Sequence, residues 1–132
     1  MPAKNLEANI RLLPRVAIVD LYGELNAFAE ERLFAAYAEA ESQLQYPPSL
    51  DDVAPDAGVI LLNFSDVDYI NSTGIALIVG LLTRARKAHR RLLACGLSDH
   101  YVEIFQITRL VDFISVFSDE ASALAAGYES RS

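Results

Sequence analysis

The stretch VILLNF, at residues 59–64, constrains the fold of this chain more than any other segment, because five of its six residues are apolar. A strand with one face in water alternates apolar and polar side chains, whereas a strand covered on both faces is a nearly continuous apolar run. Strands of the second kind are typical of folds in which helices cover a mostly parallel sheet. Residues 59–64 therefore predict a central strand of a layered α/β domain.

A strand and a helix are predicted before this segment. The sequence RVAIVDLYGEL, residues 15–25, alternates as a strand does, and we expect Gly23 to close it and the preceding NIRLLP to pair with it. Asn26 then offers an N-cap for a helix rich in Ala, Glu and Leu. Four residues of this helix recur at helical spacing and are expected to face the core: Leu33, Tyr37, Ala40 and Leu44.

Helices and strands alternate through the rest of the chain. SDVDYINSTG is predicted to turn the chain into a helix from Thr73 to about Arg90, and LLAC to form a short strand. A helix opened by Ser98 or Asp99, the strand FISVF and a last helix capped by Ser118 follow. This order predicts an α/β fold, with a mostly parallel sheet of about five strands and about four helices.

Residues 45–58, QYPPSLDDVAPDAG, are predicted to form a long loop. The segment holds three of the chain's five prolines and three aspartates, and it is longer than most connections. No internal repeat and no domain boundary is evident. Residues 1–132 are therefore expected to form a single domain.

Charge and composition exclude several classes of function. The net charge is −7, from 18 acidic and 11 basic residues, which argues against direct binding to nucleic-acid phosphates. The basic positions of TRARKAHRR, residues 83–91, spread around one helix end. No apolar run approaches the roughly 20 residues that span a bilayer, so membrane insertion is not expected. The lone Cys95 fits a reducing compartment as a small buried hydrophobe, and we predict a cytoplasmic protein.

The sequence NSTG, residues 71–74, follows the buried strand and opens a helix. Asn71 or Ser72 could cap that helix, and a serine in this place is by itself most often a cap. The helix start should nevertheless be exposed at the carboxyl edge of a parallel sheet, where open α/β folds place their sites. A phosphate on Ser72 would lie where helix N-termini favour anions, and Gly74 leaves room for close backbone approach.

The same helix is predicted to carry a docking surface. At about 100° per residue, Ile75, Ile78, Val79 and Leu82 fall on one arc that should pack on the sheet. Leu77 and Leu81 flank this arc, and we expect them either to join a docking face or to pack on a neighbouring helix. The remaining face is small near Ser72 and basic at its far end: Ala76, Gly80, Thr83, Arg84 and Lys87.

Three segments together resemble the STAS domain family (sulfate transporter and anti-sigma factor antagonist). VILLNFSDVDYINSTGIALIVGLL is similar to the family signature, in which an apolar strand leads through Asp-Ser-Ser-Gly or Asp-Ser-Thr-Gly into a helix. VAIVDLYGELNAFAEERL resembles the family's early strand, turn and first helix, and VEIFQITRLVDFISVFSDEASAL its terminal elements. The likeness runs from about residue 8 to residue 126.

The resemblance implies an anti-sigma factor antagonist of the stand-alone bacterial type. It implies that Ser72 is the phosphoacceptor, with Thr73 the weaker choice, and that the partner is an anti-sigma factor serine kinase using ATP. Unphosphorylated antagonist would bind the kinase, phosphorylation would break the contact, and a serine phosphatase would restore it. We expect the partner surface around Ser72 to include Glu24, Asn26, Asp66, Asp68, Asn71, Thr73, Gly74, Ala76, Leu77, Gly80, Leu81 and Arg84.

The chain departs from the family pattern at two positions, and two other functions remain open. Asn71 and Asn26 stand where Asp is common in better-known members. One alternative is a structural STAS subunit of a larger signalling or membrane-associated assembly, which would self-associate through a similar helix face. An enzyme is the other: Asp66 and Asp68 could share acid–base work or a metal, but no third ligand or phosphate loop accompanies them. We therefore expect no catalysis, cofactor or metal.

Overall fold

The computed structural model describes residues 5–44 and 58–128, so the predicted loop at 45–58 lies, except for Gly58, outside the described residues. These residues build one five-stranded sheet in the order β1-β2-β3-β4-β5. β1 is antiparallel to β2 and all other neighbours are parallel, which confirms the predicted mostly parallel sheet. The strands are β1 Glu7–Leu13, β2 Val16–Leu25, β3 Val59–Ile70, β4 Arg91–Cys95 and β5 Ser115–Phe117.

Four α-helices connect and cover these strands, as predicted. They are α1 Glu30–Gln43, α2 Ser72–Lys87, α3 Asp99–Ile107 and α4 Glu120–Tyr128, with short 3₁₀ turns at Ala27–Ala29 and Leu110–Asp112. Of the two residues predicted to open α3, Ser98 and Asp99, it is Ser98 that caps the helix, by accepting from the backbone N–H of Tyr101. The prediction for α4 was wrong by one residue. Asp119, not Ser118, accepts from the backbone N–H of Ser122, at 2.8 Å.

Residues 59–64 form the buried central strand that their apolar run predicts. Ile60, Leu62 and Phe64 point into the larger core beneath α1, α2 and α3, together with the predicted core residues of α1. Val59 and Leu61 point to the opposite face, where α4 covers a smaller core with Ala123. Cys95 is buried in this second core, in agreement with its prediction as a small hydrophobe.

Both central strands are longer than predicted. Gly23 does not close β2: with φ at +103° it carries the strand through an irregularity in the pairing and on to Leu25. The SDVDYI segment, predicted as a turn, extends β3 to Ile70 because it pairs with this continuation of β2. The pairing ends with Leu25 opposite Ile70, so the loops after both strands begin side by side.

Helix α2 is rotated relative to its predicted orientation. Val79, predicted to pack on the sheet, is 42% exposed, whereas Leu77 and Leu81 are buried. The reason is that α1 packs beside α2, with the Phe34 ring next to Gly80, which extends the buried face towards that side. The buried residues of α2 are Gly74, Leu77, Ile78, Leu81, Leu82 and Ala85.

A partly buried ion pair, with its carboxylate buried and its guanidinium half-exposed, ties β1 to β2 and to α4. Asp20, only 6% exposed, accepts from Arg11 at 2.6 Å and 2.8 Å and from the Asn63 amide at 2.8 Å. Arg11 also donates to Glu120 at 2.7 Å and 3.1 Å. Burial by itself raises the pKa of Asp20, but the hydrogen bonds from Arg11 and Asn63 outweigh it and hold that pKa below its ordinary value.

We expect Arg11→Met to lower the free energy of unfolding by about 2 kcal/mol at pH 7, because it leaves the Asp20 carboxylate buried without its cation. A lowered pKa stabilises the fold fully above the ordinary pKa of about 3.9, and this stabilisation is lost as the pH falls from there through the lowered pKa, so the difference from wild type should shrink at acid pH. Urea denaturation at pH 7 and at pH 3 measures both effects. Arg32→Met, which breaks an exposed pair with Glu7, is the control and should change stability by less than about 1 kcal/mol. An equal loss in both variants would contradict the prediction.

Gly74→Ala should destabilise the protein, although alanine is the better helix former. A Cβ at Gly74 would overlap the carbonyl oxygen of Leu25 and lie 3.0 Å from Ile70 Cγ2, so α2 would have to move off the sheet. We expect a loss of about 1–3 kcal/mol in thermal or urea unfolding. Gly127→Ala is the matched control, because its Cβ would lie an ordinary 3.6 Å from Leu93. If Gly74→Ala left the free energy of unfolding unchanged or raised it, the contact of α2 with Leu25 and Ile70 would have to be loose enough to admit a Cβ.

Candidate functional site

The candidate site lies at the carboxyl ends of β2 and β3. The backbone N–H of Asn71 donates to the carbonyl of Leu25 at 3.1 Å, one residue beyond the last strand pair. Two asparagines, Asn26 and Asn71, therefore follow the two strands at the same edge of the sheet. Each of them opens a helical segment.

Asn71 is the N-cap of α2, which settles the choice between Asn71 and Ser72. Its side-chain oxygen accepts from the backbone N–H of Gly74 at 2.9 Å, and its backbone is extended. Ser72 is the first residue of the helix and is exposed. Its hydroxyl makes no hydrogen bond to any other residue in the described part of the chain. The serine side chain is thus not used to hold the helix start.

The helix start favours an anion at Ser72. The first backbone N–H groups of a helix have no partner within the helix, and they lie at the positive end of its dipole. Asn71 satisfies the N–H of Gly74, which leaves those of Ser72 and Thr73 at the exposed edge. The first turn of α2 contains no acidic residue that would compete for them.

The second asparagine is also engaged as a cap. The side-chain oxygen of Asn26 accepts from the backbone N–H of Phe28 at 2.9 Å, and its amide donates to Glu24 at 3.3 Å. Glu24 pairs with Tyr69 in the register of β2 and β3. The structure thus brings Glu24, Asn26 and Asn71 to one edge, as the sequence predicted.

Asp66 and Asp68 lie on an adjoining surface. They were predicted to belong to a turn, but both are exposed residues of β3. They line an open depression of about 500 Å³, and neither Ser72 nor either capping asparagine lines it; the other lining residues are Asn5, Glu7, Tyr22 and Gly23. Among the described residues, no three His, Cys, Asp or Glu side chains are grouped so as to hold a metal ion.

Only part of the predicted α2 surface is accessible. Thr73 and Ala76 are exposed, and Gly80 is partly covered by Phe34. Arg84 donates to Glu41 at 2.7 Å and lies over the Tyr37 ring, so its guanidinium is already engaged. Gly74, Leu77 and Leu81, which were predicted to contact a partner, are buried within this chain against the sheet and α1, as the alternative for Leu77 and Leu81 expected.

Phe28 is a residue of this edge that sequence reasoning missed. It is 90% exposed, and with Ala27, Glu30, Glu31 and Phe34 it lines an open depression of about 550 Å³. The helical spacing of the sequence could have predicted that Phe28 is exposed. Phe28 lies about 140° around the helix from the core residue Leu33, so a large apolar side chain points away from the core at the start of a helix.

The basic segment at residues 83–91 does not form one patch. Arg84 and Arg90 both bind Glu41, whereas Arg86 lies over the Phe113 ring. Arg91 donates to the carbonyls at the end of α4, on the other face of the sheet. These basic side chains therefore spread around the molecule, as the sequence predicted.

Cys95 is not poised for chemistry. Burial raises the pKa of its thiol to about 11, so that the reactive thiolate is disfavoured.

Across residues 5–44 and 58–128, the helices are too short or too polar to cross a bilayer.

Comparison with known proteins identifies the family. The sequence profile of the STAS domain matches residues 7–123. An anti-sigma-B factor antagonist of Listeria monocytogenes is 35% identical over 60 residues, which are 45% of this chain and 53% of that protein. The equivalent protein of Staphylococcus aureus is 37% identical over 57 residues, 43% and 53% of the two chains. The chain thus spans about half the length of the curated relatives it matches.

Solved structures agree with the fold at lower identity. The anti-sigma factor antagonist SpoIIAA, in its unphosphorylated form, superposes with a TM-score of 0.64 at 17% identity and covers 93% of this chain and 98% of its own. An anti-sigma factor antagonist from Mycobacterium paratuberculosis gives a TM-score of 0.68 at 15% identity, with 94% and 95% covered. With the profile match over most of its length, this chain belongs to the STAS domain family.

Proposed function

We propose that this protein is an anti-sigma factor antagonist that acts by binding rather than by catalysis. In its unphosphorylated form it sequesters an anti-sigma factor serine kinase in the cytoplasm. Phosphorylation of Ser72 releases the kinase, and a serine phosphatase restores binding. The observation that carries the proposal is that Ser72 stands exposed at the first position of α2 while Asn71 caps the helix. The names of the bacterial relatives support the class of partner.

The geometry of the helix start allows a phosphate on Ser72 without loss of the fold, whereas the same phosphate would weaken a contact with a partner. A phosphoserine adds about −1.5 to −2 charge, and the free N–H groups of the first turn of α2 would stabilise it. In a packed contact with a partner, the same charge has to be desolvated or lies against like charge, at several kcal/mol. Since each 1.4 kcal/mol is about tenfold in affinity, one phosphate suffices to end binding without refolding.

The binding surface that we propose surrounds Ser72. It combines the small exposed residues Thr73 and Ala76 of α2 with Glu24 and the capping asparagines. Phe28 adds a large apolar side chain of the kind that dominates binding energy in interfaces. Gly80 and Arg84 lie further along α2, and Asp66 and Asp68 lie on the adjoining surface.

Asparagine in place of aspartate makes this helix start less acidic than the family pattern. Asn71 caps α2 through its neutral amide, so no carboxylate lies in the cap beside the Ser72 hydroxyl. A phosphate on Ser72 therefore meets less repulsion from within the protein. We infer that the partner kinase recognises a neutral cap at this position.

Because Asn71 caps α2 and Ser72 does not, replacing each residue by alanine should change the stability by different amounts. Asn71→Ala should lower the free energy of unfolding by about 1 kcal/mol, because the N–H of Gly74 loses its acceptor. Ser72→Ala should change it by less than about 0.5 kcal/mol, as expected of an exposed residue without a partner. Urea denaturation of the two variants measures the difference. If Ser72→Ala cost as much as Asn71→Ala, the serine would act as a structural cap.

The switch is tested by a pull-down from native lysate with immobilised wild type, Ser72→Ala and Ser72→Asp. We expect wild type and Ser72→Ala to recover an ATP-binding serine kinase, and Ser72→Asp to recover at least about tenfold less. With ATP added, mass spectrometry should find phosphate on Ser72 of the wild type, and the kinase should then be released.

Ala121→Asp is the matched control for the added charge. Ala121 is likewise exposed in the first turn of a helix, but α4 covers the opposite face of the sheet. This variant should recover as much kinase as the wild type. Equal recovery by all baits would move the interface away from Ser72, and phosphate found only on Thr73 would assign the switch to the neighbouring residue.

A further inference from the structure

The last part of β3 has no neighbouring strand on the side of β4. β4 pairs with β3 only from Val59 to Asn63, whereas β2 follows β3 as far as Ile70. Backbone N–H groups along a strand point alternately to its two sides. Since the N–H of Asn71 donates to Leu25 of β2, the N–H of Ile70 points to the side on which β4 has already ended.

A side chain of α3 takes the place of the missing strand. The hydroxyl oxygen of Tyr101 accepts from the backbone N–H of Ile70 at 2.9 Å. Tyr101 is itself fixed, because its ring packs against the larger core and its backbone N–H donates to the Ser98 hydroxyl at 3.4 Å. Ile70 is only 5% exposed, so its N–H has little access to water and would be costly to leave without an acceptor.

Ile70 lies directly against the start of α2. The next residue is the N-cap Asn71, and a Cβ at Gly74 would lie 3.0 Å from Ile70 Cγ2. The helix start is thus held by β2 through Asn71 and by Tyr101 through Ile70. Ser72 forms no side-chain hydrogen bond within the described ranges, so its position depends on these contacts of its neighbours.

We propose that Tyr101 is a positioning residue for Ser72: by holding Ile70, its hydroxyl fixes the start of α2 and with it the place at which the serine is presented. The inference deepens the proposed function and rests on it for the role of Ser72 as phosphoacceptor. It makes α3 one of the elements on which the switch depends. If the helix start opens in more molecules, fewer are competent to bind, and the apparent affinity for a partner falls by that fraction.

Tyr101→Phe tests the proposal, because it removes the hydroxyl and keeps the ring. Amide hydrogen exchange of the purified chain, followed by NMR, should show the N–H of Ile70 exchanging at least about tenfold faster, since it loses its acceptor. The N–H of Gly74 donates to Asn71 and not to Tyr101. It should nevertheless exchange at least about threefold faster, because releasing Ile70 opens the helix start. A hydroxyl that served Ile70 alone would leave the exchange of Gly74 unchanged.

Tyr37→Phe is the matched control. Tyr37 is buried in α1, and within the described residues its hydroxyl has no hydrogen-bond partner. The same substitution there removes a hydroxyl without releasing a backbone group. The amides of Ile70 and Gly74 should exchange within about twofold of their rates in the wild type.

Affinity for the kinase that the wild type recovers is the second readout, titrated at a temperature at which all variants are folded. Tyr101→Phe should bind about three- to tenfold more weakly than the wild type, since fewer molecules have the helix start in place. Tyr37→Phe should bind as the wild type does.

Two results would overturn the proposal: exchange of Gly74 that is equal in Tyr101→Phe and the wild type, or faster exchange with an unchanged affinity for the kinase. The exchange measurement involves no kinase and no phosphate. If the wild type recovers no kinase, the proposed function fails, and the exchange of Gly74 alone decides whether Tyr101 positions the helix start.

Discussion

The pairing of β2 with β3 continues beyond the part of β3 that pairs with β4, and the candidate site depends on that continuation. It ends with Leu25 opposite Ile70 and with the hydrogen bond from Asn71 to the Leu25 carbonyl. Gly74 must lack a side chain because α2 begins directly against that carbonyl. One backbone contact thereby fixes the position of the helix start, the orientation of its first N–H groups and the exposure of Ser72.

At this edge the asparagines cap the helical segments and Ser72 does not, so the residue proposed for modification can stand at a helix start without holding it in place. A helix start needs an acceptor for its free N–H groups, and a serine that supplied it could not be modified without cost to the fold. Here Asn71 and Asn26 supply the acceptors for the two helical segments. Ser72 is left to solvent, and a charge placed on it changes the surface of the protein without removing a cap.

The elements of the fold could be predicted because their signals are local. The apolar run at residues 59–64, the helical spacing of Leu33 to Leu44 and the cap at Ser98 each depend on residues close in sequence, and each is confirmed. The predictions were wrong where a structural feature depends on an element that is distant in sequence. The lengths of β2 and β3 depend on each other, and the buried face of α2 depends on α1 lying beside it.

In the candidate site, too, the features with local sequence signals were predicted, and those that depend on distant elements were not. NSTG after a buried strand located the helix start at the sheet edge, because strand, cap and helix signals follow one another there. Which residue caps the helix, and whether Leu77 and Leu81 face a partner or the core, depended on side-chain packing that local spacing does not contain. The sequence alone thus determined the order of elements, the family resemblance and the place of the serine that we propose as the switch. Only the tertiary structure decided which side chains at that place are free, since burial is a property of the elements packed against each other.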